Sequence, residues 1–221
     1  MLDVNNPYSG ELIQQIEINT AEEVEQALAR AHALFEDRSA WLPAYQRVEI
    51  LERAVQLMNE QIEELTLLAA SEGGKPYADS KVEVLRAING LKLAIEHIPQ
   101  IKGEQIPMGL TESSANRLAF TQREPIGVVS SISAFNHPLN LIVHQCVPAI
   151  AVGAPVIIKP AQTTPLSCLK FVEILREAGL PDGWCQALVV ENQDAETLVT
   201  DERVNFFSFI GSAAIGWMLR S

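Results

Sequence analysis

The fold class is indicated most directly by the run Gly127-Val128-Val129-Ser130-Ser131-Ile132. This continuous run of apolar and small residues is typical of a β-strand whose two faces are both buried. The further runs of this kind are 154–160, 185–190 and 204–210. The segments with helical periodicity between them are 138–152, 166–178 and 194–200. Strands that alternate with helices in this way predict βαβ units and an open, parallel α/β sheet.

The first 103 residues have a helical pattern instead. Thr20 is followed three residues later by Glu23, the capping-box arrangement that begins a helix, and apolar residues then recur at helical spacing. The further helices expected here begin after Pro43 and span 61–71 and 78–98. Beyond them, the short β candidates are 105–110 and 117–124. The polar run between these two candidates indicates a hairpin.

The composition is that of a chain that can bury a core, with 221 residues of which 48% are apolar and 20% charged. The 16 Lys and Arg against 28 Asp and Glu give a formal net charge of −12. This charge argues against nonspecific binding to nucleic acid or to an anionic membrane, because both attract a positive field. No stretch approaches the roughly 20 apolar residues of a membrane helix, and no signal peptide is visible. The three cysteines, without a CxxC pair, fit a reducing compartment, so we expect a cytoplasmic protein.

Polar residues that follow the expected strands are candidates for a site, because ligands of open α/β sheets bind outside the carboxyl ends of the strands. Gly211-Ser212 follows the fourth strand, where backbone N–H groups can meet phosphate oxygens or merely form a turn. Lys159 ends the second strand and either donates to ribose hydroxyls or lies at a solvated edge. Asn136 follows the first strand. Its amide can donate to an oxyanion or cap the next helix, and the residues alone favour the cap.

Seven sequence elements in a fixed order carry a resemblance to a known family. They are Asn6-Pro7-Tyr8-Ser9-Gly10-Glu11, Glu72-Gly73-Gly74-Lys75-Pro76, Arg123-Glu124-Pro125-Ile126-Gly127-Val128, Phe135-Asn136-His137-Pro138-Leu139, Lys159-Pro160-Ala161, Glu177-Ala178-Gly179-Leu180-Pro181 and Phe209-Ile210-Gly211-Ser212. No single element is specific, whereas chance agreement of all seven, in order and over almost the whole chain, is implausible. The chain resembles the cofactor-binding, N-terminal part of the aldehyde dehydrogenase superfamily.

The resemblance implies an enzyme that uses NAD or NADP to oxidise an aldehyde to a carboxylic acid through a cysteine thioester. Asn136 would help to stabilise the oxyanion of the thiohemiacetal, and Lys159 would hold the adenosine ribose. The other implied cofactor-binding residues are Ile132, Ser133, Ala134 and Phe135 on the nicotinamide side, Ala161 and Gln162 beside Lys159, Gly211 and Ser212 beside the pyrophosphate, and Ile215 near the adenine. No metal site is implied.

The resemblance also implies a division into parts. Residues 1–103 would be the mainly helical N-terminal part of the cofactor-binding domain, 104–125 a β-hairpin oligomerisation arm, and 126–221 the Rossmann-like NAD(P)-binding part, with the catalytic domain absent. The edges of the arm would need a partner chain, since exposed β edges are prone to association. We therefore expect a homo-oligomer whose small-molecule partner is an aldehyde.

Two positions depart from the family pattern. The ribose-binding glutamate that the family has three positions after the lysine is here Gln162, which removes the repulsion of a 2′-phosphate and makes NADP acceptable beside NAD. The loop after the third strand contains Glu191, which would be unfavourable near a pyrophosphate unless it points away.

The resemblance further implies that the general-base glutamate and the nucleophilic cysteine of the family lie beyond the Gly-Ser turn, in chains about twice this length. We expect the 221-residue chain alone to be inactive. Cys146 lies two residues from His144, and on a helix such residues point in different directions, so a Cys–His dyad is poorly supported. The alternatives are a truncated module that binds a dinucleotide or merely associates and, less favoured, a reductase of activated acyl groups.

Overall fold

The computed structural model describes residues 1–221, with eight α-helices and eight β-strands. The helices are α1 (Ala21–Glu36), α2 (Ala44–Glu60), α3 (Ile62–Gly73), α4 (Tyr77–His97), α5 (Asn140–Val152), α6 (Leu166–Glu177), α7 (Thr197–Thr200) and α8 (Ala213–Arg220). The strands are β1 (Leu2–Asn5), β2 (Leu12–Ile16), β3 (Gln105–Ile106), β4 (Ala119–Phe120), β5 (Val128–Ile132), β6 (Val156–Lys159), β7 (Cys185–Ala187) and β8 (Val204–Phe209). None of the helices combines the length and the apolar character needed to cross a bilayer.

The central sheet has four parallel strands in the order β7-β6-β5-β8. Strands β5 and β6 lie in its middle, and almost all of their residues are buried. This burial on both faces is the reason that their sequences are continuous apolar runs rather than alternating ones. The predicted α/β class with an open parallel sheet is confirmed.

The two faces of the sheet are covered by different helices. Val129, Val156 and Ile158 face the larger core, which α2 to α6 complete. Val128 and Ile157 point to the opposite face, where residues of α1 and the segment 188–198 cover them. Because successive side chains of a strand point to opposite faces, each central strand contributes to both cores.

The four helices predicted between residues 20 and 98 are confirmed. At the start of α1, the Glu23 N–H donates to Thr20 Oγ1 at 3.3 Å, and Glu23 Oε2 accepts from the Thr20 N–H at 2.7 Å. Helix α3 is followed by Gly74, whose φ of 59° lies in the left-handed region that glycine adopts without a steric penalty.

The expectation of an almost entirely helical N-terminal region is wrong for its first 16 residues. Strands β1 and β2 form an antiparallel hairpin there, and only Val4 and Ile16 of the two strands are buried. These two side chains pack against Leu166 and Val189. A strand of four or five residues with one anchoring side chain carries little local pattern, so this hairpin depends on its docking.

Three elements are shorter than predicted. The arm pairs only over β3 and β4, two residues each, because its largely exposed side chains have no surface to pack on. The third strand ends at Ala187, because Val189 leaves the sheet and exchanges hydrogen bonds with Asn19 at 2.7 and 2.8 Å. The helix expected over 194–200 is the single turn α7.

Candidate functional site

The connectivity of the sheet creates a crevice beside β5. From β5 the chain proceeds to β6 and then to β7 in one direction, and it returns to β8 on the other side of β5. In an open α/β sheet, the point at which the order reverses leaves a crevice outside the carboxyl ends of the two strands. The loops that follow β5 and β8 therefore border a natural ligand site.

The register of the sheet aligns the ends of three strands. Ile132 pairs with Lys159 on one side and with Phe209 on the other. The alignment continues past the strands, since the Ser133 N–H donates to the carbonyl of Lys159 and the Ile210 N–H donates to that of Ile132, both at 3.0 Å. The three loops that carry the predicted site residues thus leave the sheet from one row.

The loop from β5 to α5 becomes more exposed as it leaves the sheet. Ser133 is buried, Ile132 and Ala134 are half-buried, and Phe135 and Asn136 are exposed. The side-chain amide of Asn136 forms no hydrogen bond within the chain, and the N-terminal N–H groups of α5 are bound by Glu83 instead. The alternative that Asn136 caps α5 is therefore wrong, and its amide is available to a ligand.

Lys159 places a buried cation at the end of β6. Its Nζ donates to Asn192 Oδ1 at 3.3 Å, so two of the three donors of the ammonium group have no partner in the chain. Burial lowers the pKa of Lys159, and the nearby charge of Glu191 opposes this shift. A buried ammonium group with two unpaired N–H donors fits the hydroxyl or phosphate groups of a bound nucleotide.

Gln162 lies in the same loop, three residues after Lys159. Its Nε2 donates to the carbonyl of Val190 at 3.2 Å, which ties the β6–α6 loop to the segment that contains Glu191. Ala161 is half-buried beside it, and Glu191 is exposed.

The turn after β8 leaves its backbone donors free. Neither the Gly211 nor the Ser212 N–H has a hydrogen-bond partner in the chain, whereas Ser212 Oγ caps α8 by accepting from the Ile215 N–H at 3.4 Å. A Cβ added to Gly211 would lie 2.3 Å from the ring of Phe209. The turn, with Trp217 and other α8 residues, lines a cleft of about 450 Å³. Ile215 of α8 is exposed but does not line this cleft. Free N–H groups at a helix N-terminus fit a phosphate group.

None of the cysteines is exposed as a nucleophile would need to be. Cys146, Cys168 and Cys185 are all buried. A hydrogen bond with Cys185, together with burial, raises the pKa of the Cys146 thiol, and burial raises that of Cys168. Since the thiolate is the reactive form, Cys146 and Cys168 are held in the unreactive state.

The sequence matches the model of the "Aldehyde dehydrogenase family" over residues 1–220. The chain belongs to the aldehyde dehydrogenase family. Similar curated relatives include the 3-sulfolactaldehyde dehydrogenase of Priestia aryabhattai, 37% identical over 221 residues, which cover 100% of this chain and 46% of the relative. The lactaldehyde dehydrogenase of Methanocaldococcus jannaschii is 35% identical over 223 residues, which cover 99% of this chain and 47% of the relative. The chain spans about half the length of these relatives.

Solved structures of the family have the same fold. Aldehyde dehydrogenase 21 from Physcomitrella patens, in complex with the reaction product succinate, superposes with a TM-score of 0.93 at 36% identity, over 99% of this chain and 46% of that one. The glyceraldehyde-3-phosphate dehydrogenase GapN from Methanocaldococcus jannaschii, complexed with NADP, superposes with a TM-score of 0.90 at 35% identity. The superposition covers 100% of this chain and 48% of that one. The family uses NAD or NADP, as predicted.

Three polar residues that contact Lys159 or the starts of α5 and α6 were not predicted from the sequence: Asn192, Glu83 and Glu72. The N-cap residues of α5 and α6 are Leu139 and Pro165, neither of which can cap with its side chain. The free N–H groups of a helix start need partners, so the missing local caps were the available signal for Glu72 and Glu83. No local pattern indicates the contact of Asn192 with Lys159.

Proposed function

We propose that this chain binds NAD or NADP and contributes the oxyanion-stabilising amide to the oxidation of an aldehyde to its carboxylic acid. The alignment of Lys159, Ile132 and Phe209 in one row of the sheet carries the proposal. It assembles a buried ammonium group, an uncommitted amide and a turn with free N–H groups at the crevice beside β5. Family membership and relatives solved with NADP support it.

Each part of the site would have a separate task. The N–H groups of Gly211 and Ser212 would donate to the pyrophosphate, and Lys159 to the adenosine ribose. Ile132 to Phe135 would line the approach to the nicotinamide, which accepts a hydride when the cofactor is bound. The Asn136 amide would donate to the oxygen that becomes negative when a thiolate attacks the aldehyde carbonyl, and such a donor typically contributes about 10²–10³ in rate.

The residues favour neither cofactor strongly. Gln162 is neutral and would not repel a 2′-phosphate, whereas the exposed Glu191 would. We propose that NAD and NADP bind within roughly tenfold of each other, or about 1.4 kcal/mol.

We also propose that the 221 residues by themselves turn over no aldehyde, because all three cysteines are buried. Loss of the nucleophile lowers turnover by many orders of magnitude even when binding survives. The alternative role is that of a module that binds a dinucleotide or associates without chemistry. The enzyme would be favoured over this alternative if the reading frame continued beyond Ser221 and encoded the family's nucleophilic cysteine and general-base glutamate.

Calorimetric titration of the chain with NAD and with NADP tests the cofactor site. We expect both to bind, and Lys159→Ala to weaken both, NADP more strongly because the variant lacks a cation beside the extra phosphate. Lys92→Ala is the matched control, since Lys92 is an exposed lysine of α4 outside the site. Absence of binding to the unmodified chain, or equal binding by the two variants, would contradict the proposal.

The cellular location and the assembly are parts of the same proposal. Three free cysteines are compatible with the reducing cytosol, which supports a cytoplasmic location. The apolar side chains exposed on the arm support a homo-oligomer.

A further inference from the structure

The first turn of α5 is capped by a side chain from a distant helix. Glu83 of α4 is completely buried, and its Oε1 accepts from the Leu139 N–H at 2.9 Å and from the Asn140 N–H at 3.1 Å. A carboxylate at a helix N-terminus is stabilised by the free N–H groups and by the helix dipole. The start of α5 is therefore tied to the helical layer rather than to its own loop.

The second oxygen of the same carboxylate continues the connection toward the site. Glu83 Oε2 forms a salt bridge with the Lys75 ammonium group and lies 3.3 Å from His137 Nδ1. The Lys75 Nζ in turn donates to the main-chain carbonyl of Asn136 at 3.1 Å. The side chains of Glu83 in α4 and Lys75 in the α3–α4 loop thus contact four of the five residues from Asn136 to Asn140.

The connection is stiff because it is charged and shielded from water. The side chain of Lys75 is only 17% exposed and that of Glu83 not at all. Hydrogen bonds between charged groups are shorter and stronger than neutral ones, and breaking a buried pair leaves an uncompensated charge. The main chain of the loop therefore has few alternative positions while the pair is intact.

The remote cap also explains why the Asn136 amide is uncommitted. A loop that leads into a helix usually supplies its own cap from an Asn, Asp, Ser or Thr side chain, and Asn136 is the residue of that type just before α5. Since Glu83 already binds the N–H groups of Leu139 and Asn140, the amide of Asn136 has no role in the helix.

We propose that Lys75 and Glu83 are positioning residues for Asn136: Glu83 replaces the local helix cap, and Lys75 holds the Asn136 carbonyl, so that the side-chain amide faces the crevice. The inference rests on the proposed function, in which that amide stabilises an oxyanion. Neither residue is proposed to contact substrate or cofactor.

Backbone ¹⁵N relaxation of the 221-residue chain measures the order of Asn136 directly. We expect an order parameter near 0.85 in the unmodified chain and below about 0.6 in Lys75→Met, which lacks the donor to the Asn136 carbonyl. The amides of Leu139 and Asn140 should remain protected from hydrogen exchange in this variant, because Glu83 still caps α5. Lys75→Arg should restore the order of Asn136, since a guanidinium group can bond both the carboxylate and the carbonyl.

Two further variants separate positioning from general stability. Glu83→Gln should lower the exchange protection of Leu139 and Asn140 by roughly tenfold or more, because a neutral acceptor replaces a charged one. Lys92→Met, a matched lysine change at an exposed position of α4, should alter neither measurement.

The proposal would be overturned if the order parameter of Asn136 were the same in Lys75→Met as in the unmodified chain. A loss of order spread evenly over the chain, or no recovery in Lys75→Arg, would also overturn it, because a merely structural pair predicts those results. Titration of the unmodified sample with NADP tests the proposed function separately. If NADP did not bind, the proposed function would be refuted. The relaxation measurements would still test whether Lys75 and Glu83 position Asn136.

Discussion

At the scale of the residue, Gln162 shows how one substitution changes the chemistry of a loop. Its amide donates to the carbonyl of Val190, a bond that a carboxylate cannot form, because carboxylate and carbonyl oxygens are both acceptors. A glutamate at this position would turn away from Val190. By the family resemblance it would turn toward the ribose that Lys159 is proposed to hold.

We therefore predict that Gln162→Glu shifts the preference toward NAD by roughly tenfold, or about 1.4 kcal/mol. The new carboxylate would accept from the ribose hydroxyls and repel a 2′-phosphate. Parallel titrations with NAD and NADP measure the ratio of the two dissociation constants. An unchanged ratio would mean that residue 162 does not face the ribose.

Glu72 offers a second prediction, based on its burial at the start of α6. Its oxygens accept from the N–H groups of Leu166 at 2.7 Å and Ser167 at 2.9 Å, but burial outweighs these bonds and raises its pKa above the ordinary 4.5. A carboxyl group with a raised pKa in the folded state contributes stability that is fully present below its unfolded pKa. This contribution is lost as the pH rises through the folded pKa.

The free energy of unfolding of the unmodified chain should therefore fall relative to that of Glu72→Gln as the pH rises from about 4 toward neutrality, because the variant cannot ionise. Urea unfolding of both proteins over this range measures the difference. Glu63→Gln, at an exposed position of α3, serves as the control. A difference that grows in favour of the unmodified chain with rising pH would show that hydrogen bonding, not burial, dominates at Glu72.

At the scale of the element, side-chain caps of two kinds occur at helix starts in this fold. Helix α1 uses a local capping box of Thr20 and Glu23, whereas α5 and α6 are capped by carboxylates of the helical layer. A local cap needs only residues three positions apart, so it acts before the tertiary structure forms. A remote cap can act only after the layers have met.

For α1 we predict that Thr20→Ala lowers the free energy of unfolding by about 1 kcal/mol, the usual effect of losing a Ser or Thr cap. The corresponding fall in melting temperature is roughly 2–4 °C for a chain of this size. Calorimetry measures it. Thr163→Ala is the control, because Thr163 is exposed and its hydroxyl has no hydrogen-bond partner in the chain. Equal effects of the two substitutions would show that the cap has no special role.

At the scale of the whole molecule, the arm and the C-terminal region both expose apolar side chains. The arm exposes Leu110, Leu118 and Phe120, and the region of β8 and α8 exposes Phe206 and Trp217. Contiguous exposed apolar surface and short unpaired strands favour association. We predict that the chain forms dimers or larger species, which light scattering on dilute protein detects.

The arm can be tested separately. The double variant Leu118→Ser with Phe120→Ser should reduce the associated fraction, whereas Tyr8→Ser, at an exposed aromatic residue of the N-terminal hairpin, should not. An unmodified chain that remains monomeric and melts cooperatively would show that these surfaces do not associate.

Features that depend only on neighbouring residues can be predicted from the sequence. Buried runs indicate β5 and β6, and a three-residue spacing indicates the cap of α1. Lys159 lies at the end of a predicted strand, and Asn136 follows another. Only the tertiary structure decided that Glu83 caps α5 from 56 positions away and Glu72 caps α6 from 94. It also decided that the Asn136 amide is free and that the N-terminal strands dock. The reason is physical: periodicity and capping are local, whereas these contacts join residues whose distance is set by how the layers pack.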